Sequence, residues 1–210
     1  MPLRMLLADD HQILRQGLKG LVEKAGHNVV GEASDGREAL KLARALKPDL
    51  ALLDLSMPLL NGLDAAQEIR RAVPETKTIL LTMHTDKTYV LRALRAGARG
   101  YVLKTQAAED LIRAIHGVSR GEIYLSPAVA MSVVDAYLQR TDPVPDPLTA
   151  RERQILQLVA EGKTTKQVAT LLSISFKTAE CHRHHVMQKL EIHETAGLVR
   201  YAIRHGLLQA

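Results

Sequence analysis

Three aspartates, a threonine and a lysine lie where short apolar runs of this sequence end. Asp9 and Asp10 follow RMLLA, Asp54 ends LALLD, Thr82 ends TILLT and Lys104 follows GYVL. A single aspartate at the end of a strand is often only a turn former or a helix N-cap. Five such residues in this chemical mix favour a shared site. Its crowded carboxylates would repel one another unless they held a hard cation such as Mg2+.

A second group of reactive side chains lies in the stretch ECHRHHV. It contains the only cysteine of the chain, Cys181, together with His182, His184 and His185. Cys181 and His185 have the i, i+4 spacing of two metal ligands on one helix, but a structural zinc site needs four ligands and no CxxC pair is present. The alternatives are a solvated polar helix face, an exposed thiol open to oxidation, and a helix face that binds a partner.

The elements that must position the acids alternate along the first 120 residues. Short apolar runs alternate with longer amphipathic stretches such as QILRQGLKGLVEKAG, in which leucines recur three or four residues apart. This alternation predicts an α/β fold with a doubly wound, five-stranded parallel sheet. The carboxyl ends of its strands would meet in one crevice, which is where ligands bind in such sheets.

The chain then changes character. A helical stretch at 127–140 leads into TDPVPDP, whose alternating prolines predict a short, semi-rigid linker. Beyond the linker only helical periodicity remains, which predicts an all-α unit of four helices. The predicted boundaries are 1–122 for the α/β unit, 123–147 for the helix and linker, and 148–210 for the helical unit.

The helical unit has the pattern of a helix-turn-helix. LTARE gives Thr149 and Glu152 the spacing of a capping box, and a short helix, the turn SIS and a long polar helix capped by Ser175 follow. On a helical wheel, Ala179, Val186 and Leu190 share one face. Lys177, Cys181, His184 and Gln188 lie opposite, with Glu180 and His185 beside them and His182 at the margin of the core face.

Composition limits the cellular setting and the kinds of partner. The chain of 210 residues is 46% hydrophobic and 24% charged, with a net charge of +5. Nine Lys or Arg residues but only five Glu occur from Leu148 onward, which indicates an anionic partner for the helical unit. One cysteine, no signal peptide and no membrane-spanning apolar run indicate a cytoplasmic protein without membrane partners.

The first 120 residues resemble the response-regulator receiver domain, through LLADD, LLDLSMPLLNG, LLTMH and GYVLK taken in order. The resemblance implies a flavodoxin-like fold in which Asp54 accepts a phosphoryl group from a sensor histidine kinase or a small phosphodonor. Mg2+ would be bound by Asp10, Asp54 and the backbone carbonyl of Ser56, with Asp9 acting largely through water. Lys104 and Thr82 would contact the phosphoryl oxygens. Tyr101 would turn inward, although an ordinary strand-end tyrosine is equally compatible with the sequence.

The helical unit resembles the LuxR-type DNA-binding domain, through LTARERQILQLVAEGKTTKQVATLLSISFKTAECHRHHVMQKL. With the receiver, this resemblance implies a response regulator of the NarL/FixJ class. Glu180, Cys181 and His184 would enter the major groove of double-stranded DNA. The full set of expected DNA-binding residues is Lys163, Thr165, Lys166, Lys177, Thr178, Glu180, Cys181, Arg183, His184, Gln188 and Lys189, of which Arg183 is the weakest because it falls near the core face.

The combined expectation is a transcription regulator in which phosphorylation drives homodimerisation on paired DNA half-sites, with RNA polymerase as a further partner. An aspartyl-phosphate phosphatase or transferase is an alternative. Such enzymes often carry a second acid two residues after the nucleophile, where this chain has Ser56. A docking receiver without phosphate control is a third interpretation. Glu191 departs from the family, which often has Gly or Asn there, so either Glu191 is strained or the helix ends differently.

Overall fold

The computed structural model describes residues 1–83, 87–105, 108–138 and 146–208. Apart from residues 58–60, the chain divides into one compact unit at Met1–Pro143 and a second at Val144–Ala210. The linker predicted at 141–147 and the end of the helix predicted at 127–140 lie largely outside the described residues. Each unit is described by itself.

The first unit is built on a parallel sheet with the strand order β2-β1-β3-β4-β5-β6. This order confirms the predicted doubly wound architecture. Every residue of the third strand is buried, as expected for a strand covered on both faces. The strands are β1 Arg4–Ala8, β2 Asn28–Ala33, β3 Leu50–Asp54, β4 Lys77–Thr82, β5 Gly100–Leu103 and β6 Tyr124–Leu125.

The sixth strand corrects the prediction of a five-stranded sheet, which was wrong by one strand. Tyr124–Leu125 pairs in parallel with Gly100 and Tyr101 of β5. The Tyr124 N–H donates to the Arg99 carbonyl over 2.9 Å, and the Ser126 N–H donates to the Tyr101 carbonyl over 3.1 Å. A strand of two residues is too short to show a hydrophobic period, so the sequence had placed it in the linker region.

Helices cover both faces of the sheet, and their starts have local causes. The Asp35 carboxylate caps the second helix by accepting from the N–H groups of Arg37 and Glu38. Asn61 caps the third by accepting from the Asp64 N–H over 2.9 Å. No described helix has the length and hydropathy needed to cross a bilayer. The helices are α1 Gln12–Lys24, α2 Gly36–Leu46, α3 Gly62–Ala72, α4 Lys87–Ala96, α5 Ala108–Ser119 and α6 Pro127–Leu138.

The part of the second unit that the structure describes contains four helices, as predicted. The capping box of Thr149 and Glu152 is confirmed. A second capping box, formed by Thr164 and Gln167, starts the next helix and was not recognised in the sequence. The Ser175 hydroxyl caps the long helix by accepting from the Thr178 N–H over 3.0 Å. The helices are α7 Ala150–Ala160, α8 Thr165–Leu172, α9 Phe176–Leu190 and α10 Thr195–Arg204.

The core of the second unit confirms the orientation predicted for α9. Ala179 and Val186 are buried together with Ile155, Leu158 and Leu198 from the neighbouring helices, and Leu190 packs against them at the edge. Burial of this apolar face fixes the rotation of α9 about its own axis. The polar face that carries Lys177, Cys181, His184 and Gln188 is consequently exposed.

Candidate functional site

The acids at the strand ends meet in one pocket of the first unit. Lys104 lies just beyond β5, and its Nζ atom is 2.8 Å from Asp9 Oδ2 and 3.0 Å from Asp54 Oδ1. Asp9 follows β1 and Asp54 ends β3, and β1 and β3 are neighbours in the sheet. The parallel sheet therefore brings together three residues that are far apart in the sequence.

The electrostatics of Asp54 follow from its burial. The residue is 2% exposed, and its Oδ2 atom is buried without a hydrogen-bond partner among the described residues. Burial raises the pKa of Asp54 above its usual value, and the nearby Asp9 carboxylate adds to the rise. Lys104 and a backbone N–H from Ser56 oppose it. Burial by itself would lower the pKa of Lys104, but the two carboxylates outweigh it and the pKa is raised.

Asp10 and His11 form the open side of the pocket. His11 Nδ1 lies 2.9 Å from Asp10 Oδ1 and 3.4 Å from Asp9 Oδ1. Four potential metal-ligand atoms lie within 4.8 Å of one another, one from each of Asp9, Asp10, His11 and Asp54. His11 was not predicted as a site residue from the sequence. Its position directly after the candidate ligands Asp9 and Asp10 could have indicated it.

The donor set of this pocket fits a hard divalent cation. Lys104 pairs with the carboxylates of Asp9 and Asp54, and the Asp10 carboxylate lies close to both acids. One buried carboxylate oxygen of Asp54 has no hydrogen-bond partner among the described residues. Oxygen ligands with open positions are what Mg2+ prefers in proteins. The residues present are therefore compatible with the cation that the resemblance implies.

Thr82 and Tyr101 lie on the adjacent strands. Thr82 ends β4, is 1% exposed, and its carbonyl accepts from the Lys104 N–H over 2.8 Å. Tyr101 lies in β5 and is completely buried, so its side chain already has an inward position in this structure. Thr82 thus lies on the strand next to that of Asp54, and Tyr101 lies one strand further along the sheet.

Gly62 has a specific role in positioning Asp54. Its N–H donates to the Leu55 carbonyl over 2.8 Å. A Cβ atom on Gly62 would lie 2.0 Å from the Asp54 carbonyl oxygen and 3.0 Å from Leu55 Cα. The first turn of α3 can therefore approach the backbone of Asp54 only if residue 62 has no side chain.

The polar face of α9 is the second candidate site, and the structure leaves most of its predicted contact residues open to solvent. Lys163 and Thr165 are half-buried at the start of α8. Phe176, at the first position of α9, is 52% exposed and was not selected from the sequence. The exposed residues of the predicted set are Lys166, Lys177, Thr178, Glu180, Cys181, His184, Gln188 and Lys189.

Arg183 and Lys189 are engaged within the second unit. The Arg183 guanidinium donates to Thr165 Oγ1 over 3.3 Å and to Thr195 Oγ1 over 3.0 Å. Arg183 thereby joins α8, α9 and α10. Lys189 Nζ lies 2.7 Å from Glu152 Oε2. Both had been predicted to bind DNA, and the structure shows that each links helices of this unit.

The electrostatics of Glu152 reflect its two roles. Its carboxylate accepts from the Thr149 N–H in the capping box and pairs with Lys189 from the end of α9. Burial alone would raise the pKa of Glu152. The hydrogen bonds from Lys189 and Thr149 outweigh burial, so the pKa lies below its ordinary value.

The structure answers the question raised by ECHRHHV. Cys181 Sγ and His185 Nε2 are 3.9 Å apart on the exposed face. Among the described residues, three or more potential ligands of the His, Cys, Asp or Glu type converge only in the acid pocket. Cys181, His184 and His185 are exposed and His182 is half-buried, and these residues form no four-ligand zinc site with any other described residue.

Two residues with left-handed backbone conformation end the helices of this motif. Ser173 ends α8 with φ 53°, and Glu191 ends α9 with φ 54°. The Ile192 N–H then donates to the Met187 carbonyl over 3.0 Å, which satisfies a carbonyl of the last turn. The structure therefore favours the strained conformation of Glu191 over a different helix end.

Each of the two units matches a known protein family. The family model described as "Response regulator receiver domain" matches residues 5–116, more than half of the chain. The model described as "Bacterial regulatory proteins, luxR family" matches residues 146–202. The chain belongs to the NarL/FixJ class of response regulators. It is therefore a two-component response regulator with a receiver domain and a LuxR-type DNA-binding domain.

Regulatory proteins resemble this response regulator along nearly their whole length. It is 38% identical over 208 residues to the transcriptional regulatory protein MctR of Rhizobium johnstonii, covering 98% of this chain and 95% of MctR. It is 38% identical over 215 residues to the oxygen regulatory protein NreC of Staphylococcus carnosus, covering 98% of this chain and 99% of NreC.

A solved structure shows a similar protein on DNA. RcsB from Salmonella enterica serovar Typhimurium, bound to a promoter in the presence of the phosphomimetic BeF3−, matches with a TM-score of 0.65 and 28% identity. The match covers 96% of this chain and 98% of the RcsB chain. The two-domain organisation of this response regulator is thus shared with a protein that binds promoter DNA.

Proposed function

We propose that Asp54 is the phosphoacceptor of this response regulator, and that its phosphorylation controls DNA binding through the face of α9. The observation that carries the proposal is the buried Asp54 carboxylate, with Oδ1 3.0 Å from Lys104 Nζ and Oδ2 without a hydrogen-bond partner among the described residues. A buried carboxylate with an unsatisfied oxygen is unfavourable for stability, which supports a chemical role.

The transfer step uses the unsatisfied oxygen as a nucleophile. An oxygen of Asp54 attacks the phosphorus of a phosphoimidazole, the P–N bond breaks with its electron pair going to the nitrogen, and that nitrogen takes a proton from water. The product is a carboxyl phosphate on Asp54. Lys104, which pairs with Asp9 and Asp54 beforehand, would pair with a phosphoryl oxygen afterwards, and the Thr82 hydroxyl would donate to another.

The cation of this pocket would be Mg2+, bound by Asp10, Asp54 and the Ser56 carbonyl, with Asp9 acting largely through water. When bound, it would offset the negative charge of the carboxylates and of the incoming phosphoryl group. The chain's own contribution is to fix these groups at the ends of neighbouring strands. The protein would catalyse only the phosphorylation and dephosphorylation of its own Asp54 and would not turn over an external substrate.

The decisive test is intact mass after incubation with Mg2+ and a small acyl phosphate. The wild type should gain one phosphoryl group, and Asp54→Asn should gain none. Asp35→Asn is the matched control, because Asp35 caps α2 and Asn is an equally good cap. An adduct that persists in Asp54→Asn, or its absence from the wild type with the small donor and with a histidine kinase, would refute the assignment.

We further propose that the exposed residues of α9 read the major groove. The exposed Lys166 and Lys177 would contact phosphates, and these contacts would position the domain. The exposed Glu180, Cys181 and His184 would contact base edges, and these contacts would specify the sequence. One small helix-turn-helix makes few contacts, so phosphorylation is proposed to bring two copies of the chain together on paired half-sites.

DNA binding can be separated into these two contributions by anisotropy titrations on a selected operator. Lys177→Ala should weaken binding to all sequences and reduce the slope of log K against log salt by about one unit. His184→Ala should instead change the base preference. Lys41→Ala is the matched control, since it removes one exposed positive charge from α2 of the receiver. An equal loss in Lys41→Ala would exclude a specific role of Lys177.

The cellular partners follow from the same proposal. A sensor histidine kinase would phosphorylate Asp54 in the cytoplasm, and the phosphorylated homodimer would bind DNA. RNA polymerase would then be recruited or blocked at the promoter. Asp54→Asn should abolish the effect of the phosphodonor on both dimerisation and operator affinity. Sedimentation of the full chain with and without the phosphodonor measures the first of these effects.

A further inference from the structure

His11 lies at the acid pocket in a position that the proposed phosphoryl transfer does not use. Its backbone N–H donates to Asp9 Oδ1 over 2.9 Å, so the acid itself fixes the residue at the start of α1. Its side chain makes no capping hydrogen bond to the helix. The imidazole instead turns toward the carboxylates, with Nδ1 2.9 Å from Asp10 and 3.4 Å from Asp9.

These distances match the spacing of ligands on one cation. Adjacent ligand atoms of an octahedral site with bonds of about 2.1 Å lie about 3.0 Å apart. Nδ1 is close to this spacing from two carboxylate oxygens at once, and all four side-chain donor atoms fall within 4.8 Å. A cation held by Asp9, Asp10 and Asp54 would therefore face Nδ1 without a large movement of the ring.

We propose that His11 Nδ1 is an additional ligand of this pocket and widens its choice of metal ion beyond Mg2+. The inference rests on the proposed cation site of Asp9, Asp10 and Asp54. Without a cation, Nδ1 lies 2.9 Å from Asp10 Oδ1 as a close polar contact. When Nδ1 binds the cation, the ring carries its proton on Nε2, and neutral imidazole supplies one nitrogen to an otherwise all-oxygen site.

The nitrogen changes metal preference in a defined direction. Mg2+ binds oxygen ligands and gains little from imidazole, whereas Mn2+ and Co2+ accept imidazole nitrogen and bind more tightly in N/O sites. This pocket should therefore favour Mn2+ and Co2+ over Mg2+ by more than its carboxylates alone would. The alternative is that the ring, which is 56% exposed, swings away from the cation into solvent.

The test compares Mn2+ and Mg2+ binding by calorimetry on the full chain carrying Cys181→Ser. This substitution removes the exposed thiol, which lies 3.9 Å from His185 and could bind Mn2+ or Co2+ elsewhere. His11→Phe keeps a planar ring without donor atoms, and His11→Ala removes the ring. Either variant should lower Mn2+ affinity about tenfold and leave Mg2+ affinity within about twofold. His193→Ala, which removes an exposed imidazole of the DNA-binding domain, is the matched control.

Direct ligation has its own readout. Electron spin-echo spectra of bound Mn2+ should contain modulation from a coordinated nitrogen, and His11→Phe should remove it. Two results would overturn the ligand role of His11. The first is a spectrum of the parent protein without nitrogen modulation, and the second is a Mn2+ affinity that is the same in the His11 variants as in their parent. Failure of the proposed cation site itself is distinguishable, because Asp10→Asn and Asp54→Asn would then leave the Mg2+ affinity unchanged.

Discussion

Glu191 ends α9 in a backbone conformation that suits glycine. Its φ of 54° costs a residue with a Cβ atom about 1 kcal/mol or more. Glycine would remove this strain, but its greater conformational freedom in the unfolded chain would offset part of the gain. Glu191→Gly should therefore raise the free energy of unfolding of the DNA-binding domain by about 0.5–1 kcal/mol. The unfolding transition of this domain in urea measures the change.

Glu194 provides the control for that measurement. It is also exposed and also a glutamate, but its φ is −122°, where glycine relieves no strain. Glu194→Gly should leave stability unchanged or lower it. If both substitutions had the same effect, the positive φ of Glu191 would not be the source of the gain.

His27 makes the receiver sensitive to acid. It is 8% exposed, its Nε2 atom has no partner among the described residues, and the His116 ring lies 5.6 Å away. Burial first, and then repulsion by His116, lowers its pKa below 6.5. Because the folded state disfavours the protonated ring, this stabilising contribution is complete above pH 6.5 and is lost as pH falls toward the lower folded-state pKa.

The wild type should therefore lose melting temperature between about pH 7.5 and pH 5.5, and His27→Gln should lose less. Gln can still accept the Leu3 N–H that His27 Nδ1 accepts over 3.4 Å. Calorimetric scans of the two proteins across this range measure the difference. His116→Asn should reduce the wild-type loss only in part, because burial is the larger cause. An identical pH profile in His27→Gln would show that other groups titrate instead.

Residue types were the most predictable feature of the receiver pocket, while residue contacts were not. The order of Asp9, Asp54 and Lys104 at strand ends was readable because strand ends of a parallel sheet converge. The contact of His11 with Asp10 depends on a side-chain rotamer that no period encodes. The engagement of Arg183 by two threonines likewise arises only when three helices pack together.

At the scale of elements, the join between β3 and α3 is the most constrained part of the receiver. A methyl group on Gly62 would overlap the carbonyl of Asp54, so α3 would have to move away from the strand or Asp54 would shift. Gly62→Ala should cost about 3 kcal/mol in stability and reduce phosphorylation of Asp54. Unfolding and intact-mass assays on the same preparation measure both effects.

Gly17 is the matched glycine for this test. It lies within α1, and nothing within 4 Å would touch an added Cβ atom. Gly17→Ala should stabilise the protein by up to about 1 kcal/mol through helix propensity, with normal phosphorylation. A normal phosphorylation level in Gly62→Ala would mean that the backbone of Asp54 tolerates the displacement.

Elements with a period or a capping pattern were predicted well. The five long strands and the capping box of Thr149 and Glu152 have strong local signatures. The capping box of Thr164 and Gln167 uses Gln in place of Glu and was overlooked, although it follows the same chemistry. Tyr124–Leu125 could not be predicted, because its pairing with β5 comes from the folded sheet and not from its own sequence.

At the scale of the whole molecule, β6 and α6 complete the receiver beyond the boundary expected from sequence. Val129 of α6 is fully buried, and β6 covers the edge of β5. A fragment 1–122 would expose that edge and lose the buried valine. It should be less stable than fragment 1–138 by about 2 kcal/mol or more and should aggregate more readily.

Urea unfolding and light scattering of the two fragments provide the comparison. Fragment 1–138 retains every strand of the described sheet, so it should unfold with the midpoint of the receiver in the full chain. Equal midpoints for fragments 1–122 and 1–138 would mean that β6 and α6 contribute nothing to receiver stability.

The pairing of Glu152 with Lys189 limits how the DNA-binding domain can evolve. Glu152 starts α7, and its carboxylate is 2.7 Å from a lysine at the end of α9. Loss of either partner leaves the other charge uncompensated, so single changes at these two positions should be removed by selection more often than paired ones. The exposed residues proposed to contact bases, Glu180, Cys181 and His184, can therefore change one at a time, whereas changes at residues 152 and 189 should occur together.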